Sequence, residues 1–307
     1  FYYQRSGFAK TAPYAFDWTD GASHLGAQQD LDCRLVTNPV PGTSKQLQGG
    51  WFDAGDYNKY VNFAYEPIHD LSLAYIERPE VWTDDYNIPE SGNGIPDLLD
   101  EMKWELDWLR RMQLANGSML MKVSVTDFSA ASPPSADSGA RRYGPAQASA
   151  TRTAASMFAI AAIAYNLSGH PAMQLYADTL EQAARKAWYW LIANPAYSYY
   201  NNAGFSSANP EMNEYQQSSA QVGAAVALFA LTDSITYRNY VDDHYDEMHP
   251  IQWGFWYPWE SIIQDLLLYY SALPNGTTSV KNAIRSSFTN SMNNSDHLLP
   301  AINGTSC

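Results

Sequence analysis

Apolar residues recur at intervals of three and four along most of the chain beyond residue 58, and this spacing predicts helices. The pattern is clearest at 97–113, where acidic residues come early and Arg110 and Arg111 come late, as the helix macrodipole favours. A helix kinked at Pro67 is expected at 58–76. Further helices are predicted at 150–167, 176–192, 214–231, 234–244, 259–273 and 280–290.

Segments rich in turn-forming residues separate these helices. Residues 7–48 contain many Gly and Pro residues and predict a long loop, and residues 126–148 predict a surface loop or lid. No alternation typical of strands competes with the helical pattern. The recurring helix–loop–helix units, of about 35 to 50 residues, fit a closed toroid of helical hairpins, and a loose helical bundle fits the periodicity equally well.

The charge balance narrows the classes of partner. The 307 residues include 18 Lys and Arg against 32 Asp and Glu, a net charge of −14. A phosphate backbone or an anionic membrane surface would be repelled, whereas a neutral polysaccharide is compatible. No run of eighteen apolar residues predicts a membrane span. We expect neither nucleic acid nor membrane as a partner.

The cysteines and glycosylation signals bear on the compartment. Cys33 and Cys307 fit no metal-binding spacing and leave one long-range disulfide open. The abundance of Tyr and Trp and the low Lys content favour a secreted, extracellular protein. The first residues contain no signal peptide, so the start is expected to have been processed or cut. Glycosylation sequons occur at Asn116, Asn166, Asn275, Asn293 and Asn303.

The stretch 49–60 carries the strongest chemical signal: Gly-Gly-Trp-Phe-Asp-Ala-Gly-Asp-Tyr-Asn-Lys-Tyr. Asp53 and Asp56 lie three residues apart, with Trp51 and Tyr57 beside them. Carbohydrate rings stack on aromatic faces, and glycoside hydrolysis needs carboxyl groups that hold or take up a proton. The alternative is that the two aspartates cap a helix beginning near Tyr57. Lys59 could orient a carboxylate by its charge, although a single Lys at a helix start is more often solvated, and solvation is expected.

A second aromatic-rich run occurs at 252–259. Trp253 and Trp256 are candidate sugar-binding platforms, although burial in the core is the ordinary role of such residues. The histidines are scattered without metal-ligand spacing, and the acidic run at 242–247 is expected to be a solvated loop.

Three motifs in order resemble the glycoside hydrolases of family 9, which are mostly cellulases. Residues 1–7 resemble the end of that family's first barrel helix, 49–60 resemble its Asp-Ala-Gly-Asp signature, and 87–105 resemble the loop and helix that follow. The resemblance implies an all-α fold, an (α/α)6 barrel of helical hairpins that is incomplete in this chain. It also implies inverting hydrolysis of β-1,4-glycosidic bonds, with Asp56 as the base and Asp53 helping to hold the attacking water.

The sequence departs from the family pattern at several points. The family's catalytic acid is a glutamate near its C-terminus, and no counterpart is found before residue 307, so truncation is expected. We expect one catalytic-type domain over 1–307, missing the end of its barrel, with the upstream immunoglobulin-like domain of many members absent.

Metal sites of the family are poorly matched. Thr11-Ala12 stands where some members have Cys-His, so no zinc is predicted and Cys33 is unmatched. Asn213 and Glu214 stand at the position of an Asp-Glu calcium pair, which makes them weak calcium candidates. No cofactor is needed for the chemistry.

Three functions remain open beside inverting hydrolysis of a cellulose-like polysaccharide or oligosaccharide. The first is a non-catalytic carbohydrate-binding or scaffold protein that lacks the acid. The second is an exo-acting glucosaminidase of the same family. The third, a polysaccharide lyase on the same toroid, is disfavoured because few Lys and Arg are present to neutralise a uronic acid.

Overall fold

The computed structural model describes residues 1–127, 131–198, 202–205, 212–294 and 296–304. Within this part, eight helices have ten or more residues, and three short ones accompany them. In chain order the helices are α1 (Ala12–Ala15), α2 (Tyr65–Glu77), α3 (Asp97–Met112), α4 (Ala148–Leu167), α5 (Pro171–Ala193), α6 (Glu214–Thr232), α7 (Ile235–His244), α8 (His249–Gln252), α9 (Ser261–Ala272), α10 (Thr278–Met292) and α11 (Leu299–Ile302).

Most predicted helices are confirmed within a few residues of their ends. The exception is 58–76, where the helix begins only at Tyr65. Pro67 therefore lies in the first turn of α2, where its missing N–H has no intrahelical partner to lose, so its position gives no reason for a kink. The N-terminus of α5 lies earlier than predicted because Pro171 starts the helix.

Helix α4 forms the centre of the described structure. Nearly all of its side chains are buried, and it packs against α2, α5 and α6. Alanines at many of its positions allow neighbouring helices to approach on several sides. Only residues 168–170 separate α4 from α5, so the two lie side by side, and residues 233–234 likewise separate α6 from α7. Helix–loop–helix pairing therefore builds the core.

The described segments between the helices contain six short strands. The strands are β1 (Arg34–Leu35), β2 (Lys59–Tyr60), β3 (Met119–Leu120), β4 (Lys122–Val125), β5 (Arg141–Tyr143) and β6 (Ala146–Gln147). They form a four-stranded sheet in the order β1-β5-β4-β2 and a two-stranded sheet of β3 and β6. The sequence predicted no strands, because segments of two to four residues are too short to show alternation.

The larger sheet reaches the stretch 49–60. Strand β2 pairs antiparallel with β4, with Lys59 opposite Val123 and Tyr60 opposite Lys122. These pairs explain why no helix begins at residue 58. The predicted loop at 126–148 is also partly wrong, since β5 and β6 occupy its second half; residues 128–130 of that loop lie outside the described residues. Among the described helices, none combines the length and the apolar character needed to cross a bilayer.

Two glycines provide a test of the packing against α5. Gly117 has φ +97°, and a Cβ atom added there would lie 2.3 Å from the carbonyl oxygen of Lys186. Gly169 has φ +68°, but no heavy atom lies within 4 Å of its added Cβ. Gly169→Ala should therefore cost about 1–2 kcal/mol of unfolding free energy for the left-handed backbone alone.

Gly117→Ala should cost about 1–3 kcal/mol more than Gly169→Ala, because its Cβ also collides with the backbone of α5. Urea denaturation of both variants and the unmodified protein measures the difference. Equal losses in the two variants would contradict the close approach at Gly117.

Candidate active site

The stretch 49–60 forms an irregular turn rather than a helix start. Gly50 has φ +79°, and a Cβ atom there would lie 2.8 Å from the ring of Trp108, so a larger residue would collide. The N–H of Asp53 donates to the carbonyl of Asn58 at 2.9 Å, which closes the turn. Since the next helix begins only at Tyr65, the helix-cap interpretation of the aspartates is wrong.

This turn presents both aspartates toward solvent. Asp53 is exposed and Asp56 is half-buried. Asp56 accepts two hydrogen bonds from Asn58, one from the backbone N–H to Oδ1 at 3.1 Å and one from Nδ2 to Oδ2 at 2.6 Å. Partial burial raises the pKa of Asp53, and the charge of Asp56 raises it further. The two carboxyl groups therefore differ: that of Asp56 is half-buried and accepts two hydrogen bonds from Asn58, whereas Asp53 is exposed.

Asp53 lines a cleft of about 430 Å³. Aromatic side chains dominate its wall, and one buried carboxyl group, that of Glu105, contributes to it. The other lining residues are Phe1, Gln4, Trp51, Phe52, Tyr60, Phe63, Ala64 and Pro67. A carboxylate beside aromatic surface is the combination that a carbohydrate site needs.

Trp51 lies in the wall of this cleft and is only 7% exposed. Its indole N–H donates to Glu101 Oε1 at 2.8 Å, and the ring of Phe1 lies 4.5 Å away at a tilt of 34°. The structure therefore places Trp51 at the cleft but leaves little of its face open for a sugar ring.

Tyr57, the other candidate beside the aspartates, is buried. Its ring packs against Phe52 and His24, with centroids 5.2 and 5.4 Å away, and its hydroxyl donates to the carbonyl of Ala131 at 3.1 Å. The backbone at Tyr57 has φ +58°, a left-handed conformation. The ring of Tyr57 is therefore packed against protein, where it supports the turn.

A buried ion cluster lies beneath the turn. Asp30 accepts from Lys59 Nζ at 2.6 Å and from Arg141 Nε at 2.6 Å, and none of the three side chains is exposed. Burial alone would raise the pKa of Asp30, but the charges of Arg141 and Lys59 outweigh burial and lower it. The expectation that Lys59 is solvated is wrong.

Lys59 also connects the cluster to the start of the turn. Its ammonium group donates to the carbonyls of Leu47 and Gly49, at 2.9 and 2.7 Å. One buried cation therefore ties strand β2 to the backbone that precedes Trp51.

A second buried network, of Arg5, Glu90 and Glu101, contacts the turn at Trp51. Arg5 donates to Glu90 at 2.9 Å and to Glu101 at 3.0 Å, which joins the first residues to the loop before α3 and to α3 itself. Burial opposes the charge of Arg5, but the hydrogen bonds that it donates to both carboxylates raise its pKa. Arg5 therefore holds the loop containing Glu90 against α3.

Glu105 also binds the turn at Trp51. It is buried in α3, and its Oε2 accepts the backbone N–H of Trp51 at 2.6 Å. Burial raises the pKa of Glu105 to about 8, although the hydrogen bond from Trp51 and the charge of Lys59 act in the other direction. The carboxyl group is therefore largely protonated at neutral pH.

The aromatic run at 252–259 contains one exposed and one buried candidate. Trp253 is 54% exposed and stacks on His249, with centroids 3.6 Å apart and the planes at 14°. Trp256 is 1% exposed, and its indole N–H donates to Ser287 at 3.0 Å. Trp253 offers part of a ring face to solvent, whereas Trp256 is part of the core.

Four residues around this run were not singled out in the sequence. His249 is sandwiched between Trp253 and Tyr215, with the Tyr215 centroid 3.3 Å away. Glu260 accepts from the Tyr215 hydroxyl at 2.8 Å and lies 2.8 Å from His249 Nδ1. Trp259 is 81% exposed. The density of aromatic residues could have indicated Trp259, but nothing in the sequence links Tyr215 to residue 260.

Tyr215, Trp259 and Glu260 line a second opening of about 540 Å³. This opening also includes Tyr65 and Glu66, whereas Ala64 and Pro67 line the cleft beside Asp53. Residues of the first turn of α2 therefore face both openings.

The weak metal candidates have structural partners. Asn213 caps α6: its side chain accepts from the N–H of Gln216, whose side chain accepts from the N–H of Asn213. Burial raises the pKa of the Cys33 thiol to about 12, and Cys307 lies outside the described residues. No group of three or more His, Cys, Asp or Glu side chains that could hold a metal occurs in the described part of the chain.

With this geometry in place, comparison with known proteins assigns the family. The family model for glycosyl hydrolase family 9 matches residues 1–304, and the chain belongs to this family. Endoglucanase D of Acetivibrio thermocellus is 36% identical over 168 residues, which are 54% of this chain and 26% of the relative.

Two further relatives have related activities in their names. A xyloglucan-specific endo-beta-1,4-glucanase of Bacteroides ovatus is 38% identical over 136 residues, covering 42% of this chain and 22% of the relative. A cellulose 1,4-beta-cellobiosidase of Acetivibrio thermocellus is 29% identical over 280 residues, covering 81% of this chain and 31% of the relative. The chain therefore spans less than a third of the length of each of these relatives.

Solved structures give the fold. A metagenome-derived glycoside hydrolase family 9 endoglucanase has a TM-score of 0.79 at 26% identity, covering 94% of this chain and 52% of that chain. AaCel9A in complex with cellobiose-like isofagomine has a TM-score of 0.81 at 24% identity, covering 99% of this chain and 55% of that chain. The predicted (α/α)6 barrel is confirmed over the loose bundle, and this chain corresponds to about half of such structures.

Glu105 predicts a pH dependence of stability. Its pKa is about 8 in the folded protein and about 4.5 in an unfolded chain, so its contribution to stability is fully present below pH 4.5 and is lost as the pH rises through 8. In Glu105→Gln, the amide oxygen can still accept the hydrogen bond from the N–H of Trp51, but the side chain no longer has a proton to lose in this pH range.

The melting temperature of Glu105→Gln, minus that of the unmodified protein, should therefore increase between pH 4.5 and 8. Thermal unfolding followed by circular dichroism across this range measures the difference. Glu77→Gln, at an exposed position on α2, is the matched control and should show no such rise. A difference that stays constant with pH for Glu105→Gln would contradict the burial of a protonated carboxyl group.

Proposed function

We propose that this chain supplies the base side of the active site of a β-1,4-glucan hydrolase. The observation that carries the proposal is the pair of carboxyl groups, Asp53 and Asp56, on a turn that two buried networks hold, in a chain of family 9. The names of the relatives support β-1,4-glucan as the substrate class.

The proposed mechanism is inverting hydrolysis. Asp56 takes a proton from the attacking water, and Asp53 helps to hold that water beside it. Such a mechanism needs a protonated carboxyl group on the opposite side of the bond, roughly 6.5–9.5 Å from the base, so that water fits between base and sugar. We propose that this acid comes from a part of the family fold that this chain does not cover, since the chain covers 52% and 55% of the two solved structures.

Exposed aromatic rings are the proposed sugar contacts. Trp259 is exposed and lines, with Glu260, the opening that shares the first turn of α2 with the cleft of Asp53. Trp253 is exposed where it stacks on His249, which contacts Glu260. Stacking on such rings binds a neutral glucan without opposite charge, which agrees with the net charge of −14. We propose an extracellular site of action, since cellulose-like polymers are found there.

The replacement Asp56→Asn tests the proposed base. Hydrolysis of cello-oligosaccharides should fall about 10²–10⁴-fold, because water is no longer deprotonated, while oligosaccharide binding is retained. Release of reducing ends and isothermal titration calorimetry measure the two properties. Asp246→Asn, an exposed position without this role, is the control.

Undiminished hydrolysis in Asp56→Asn would overturn the proposed base. Saturable oligosaccharide binding without turnover in the unmodified natural protein would support the carbohydrate-binding alternative instead.

The stereochemistry of the product tests the inverting mechanism. Hydrolysis of a β-1,4-linked oligosaccharide should release the α-anomer first, because water attacks from the face opposite the leaving group. Proton NMR of the anomeric signals in the first minutes, before mutarotation, distinguishes the anomers. Initial formation of the β-anomer would require a retaining mechanism and would contradict the assignment.

A further inference from the structure

Asn58 is fully buried two residues after Asp56, and all of its polar groups have partners. Its Nδ2 donates to Asp56 Oδ2 at 2.6 Å and to the Tyr60 hydroxyl at 2.7 Å. Its Oδ1 accepts from the Val125 N–H at 2.9 Å and from the Ser124 hydroxyl at 2.8 Å. The side chain therefore bridges Asp56 and strand β4.

The orientation of this amide follows from the nature of its partners. The N–H of Val125 can only donate, so the atom of Asn58 that faces it must be the oxygen. The nitrogen then faces Asp56, whose ionised carboxylate can only accept. A flipped amide would set donor against donor on one side and acceptor against acceptor on the other.

Asn58 holds both oxygens of Asp56. The backbone N–H contacts Oδ1 and the side-chain amide contacts Oδ2, so rotation of the carboxylate about its last bond would break at least one hydrogen bond. Without such partners this torsion is broad, and a carboxylate turns easily. The remaining acceptor sites of the two oxygens are available to a water molecule.

We propose that Asn58 is a positioning residue that sets the plane of the Asp56 carboxylate toward the attacking water. This inference rests on the proposed role of Asp56 as base, and Asn58 itself touches no substrate. The sheet determines the orientation, because the backbone N–H of Val125 in β4 fixes the side-chain oxygen of Asn58. The next residue, Lys59, is held by the buried ion cluster.

Kinetics of three variants separate positioning from support of the fold. Asn58→Ala removes the side-chain bond to Asp56, and Asn58→Asp retains the acceptor for Val125 but places a carboxylate oxygen against Asp56. Both should lower kcat about 10²-fold with little change in KM, since a misplaced base slows proton transfer without weakening binding.

Ser124→Ala is the matched control, because it removes one bond to Asn58 but leaves both bonds to Asp56 intact. It should keep kcat near that of the unmodified natural protein even where its melting temperature falls. An unchanged kcat in the Asn58 variants would overturn the proposal. Equal losses of kcat in Ser124→Ala and Asn58→Ala at equal melting temperatures would also overturn it.

Crystal structures of the unmodified protein and Asn58→Ala at the same pH give a readout that needs no activity. The Asp56 carboxylate should be turned or occupy more than one orientation in the variant, while the backbone of 53–57 keeps its course. An unchanged carboxylate would overturn the proposal, and Asn58→Asp provides the same comparison if the alanine variant does not fold.

The two hypotheses fail in different ways. If Asp56 is not the base, Asp56→Asn keeps its activity while Asn58→Ala still turns the carboxylate. If Asn58 does not position the base, Asp56→Asn loses activity while the carboxylate keeps its orientation in Asn58→Ala.

Discussion

The ion cluster of Asp30, Lys59 and Arg141 is the constraint on which the candidate site depends. All three side chains are removed from solvent, so each charge is stable only while the others remain in place. Removing one partner of a buried pair typically costs about 3–5 kcal/mol, because an uncompensated charge is left behind. The cluster joins the loop at residue 30 to β2 and β5, and Lys59 also binds the backbone before Trp51. Asp53 and Asp56 therefore project from a part of the chain with little freedom to move.

The residues that hold the turn differ from the two aspartates proposed to act on substrate. The charges of the ion cluster are buried, whereas Asp53 is exposed and Asp56 is half-buried. The carboxyl group of Glu105 connects α3 to Trp51, and the amide of Asn58 connects β4 to Asp56. The inverting mechanism proposed for the site needs such precision, since its base must direct a single water molecule.

The helices were largely predictable, because burying one face of a helix imposes a period that local sequence records. Helix α3 begins at Asp97 as predicted and ends one residue early, and α4 shows the apolar surroundings that its Ala-rich sequence indicates. At 58–64 the same periodicity was misleading. There, pairing of β2 with β4 outweighs helical propensity, and the partner strand lies more than sixty residues away.

The sequence by itself determined the helical class, the family and the two candidate carboxylates, because periodicity and a compact motif are local properties. Tertiary structure alone decided which aromatic residues remain exposed: Trp253 stays at the surface while Trp256, three residues later, is buried. It also decided the roles of Lys59 and Asn58, whose partners are distant in sequence. Burial and hydrogen bonding depend on segments that meet only after folding, so no local pattern can encode them.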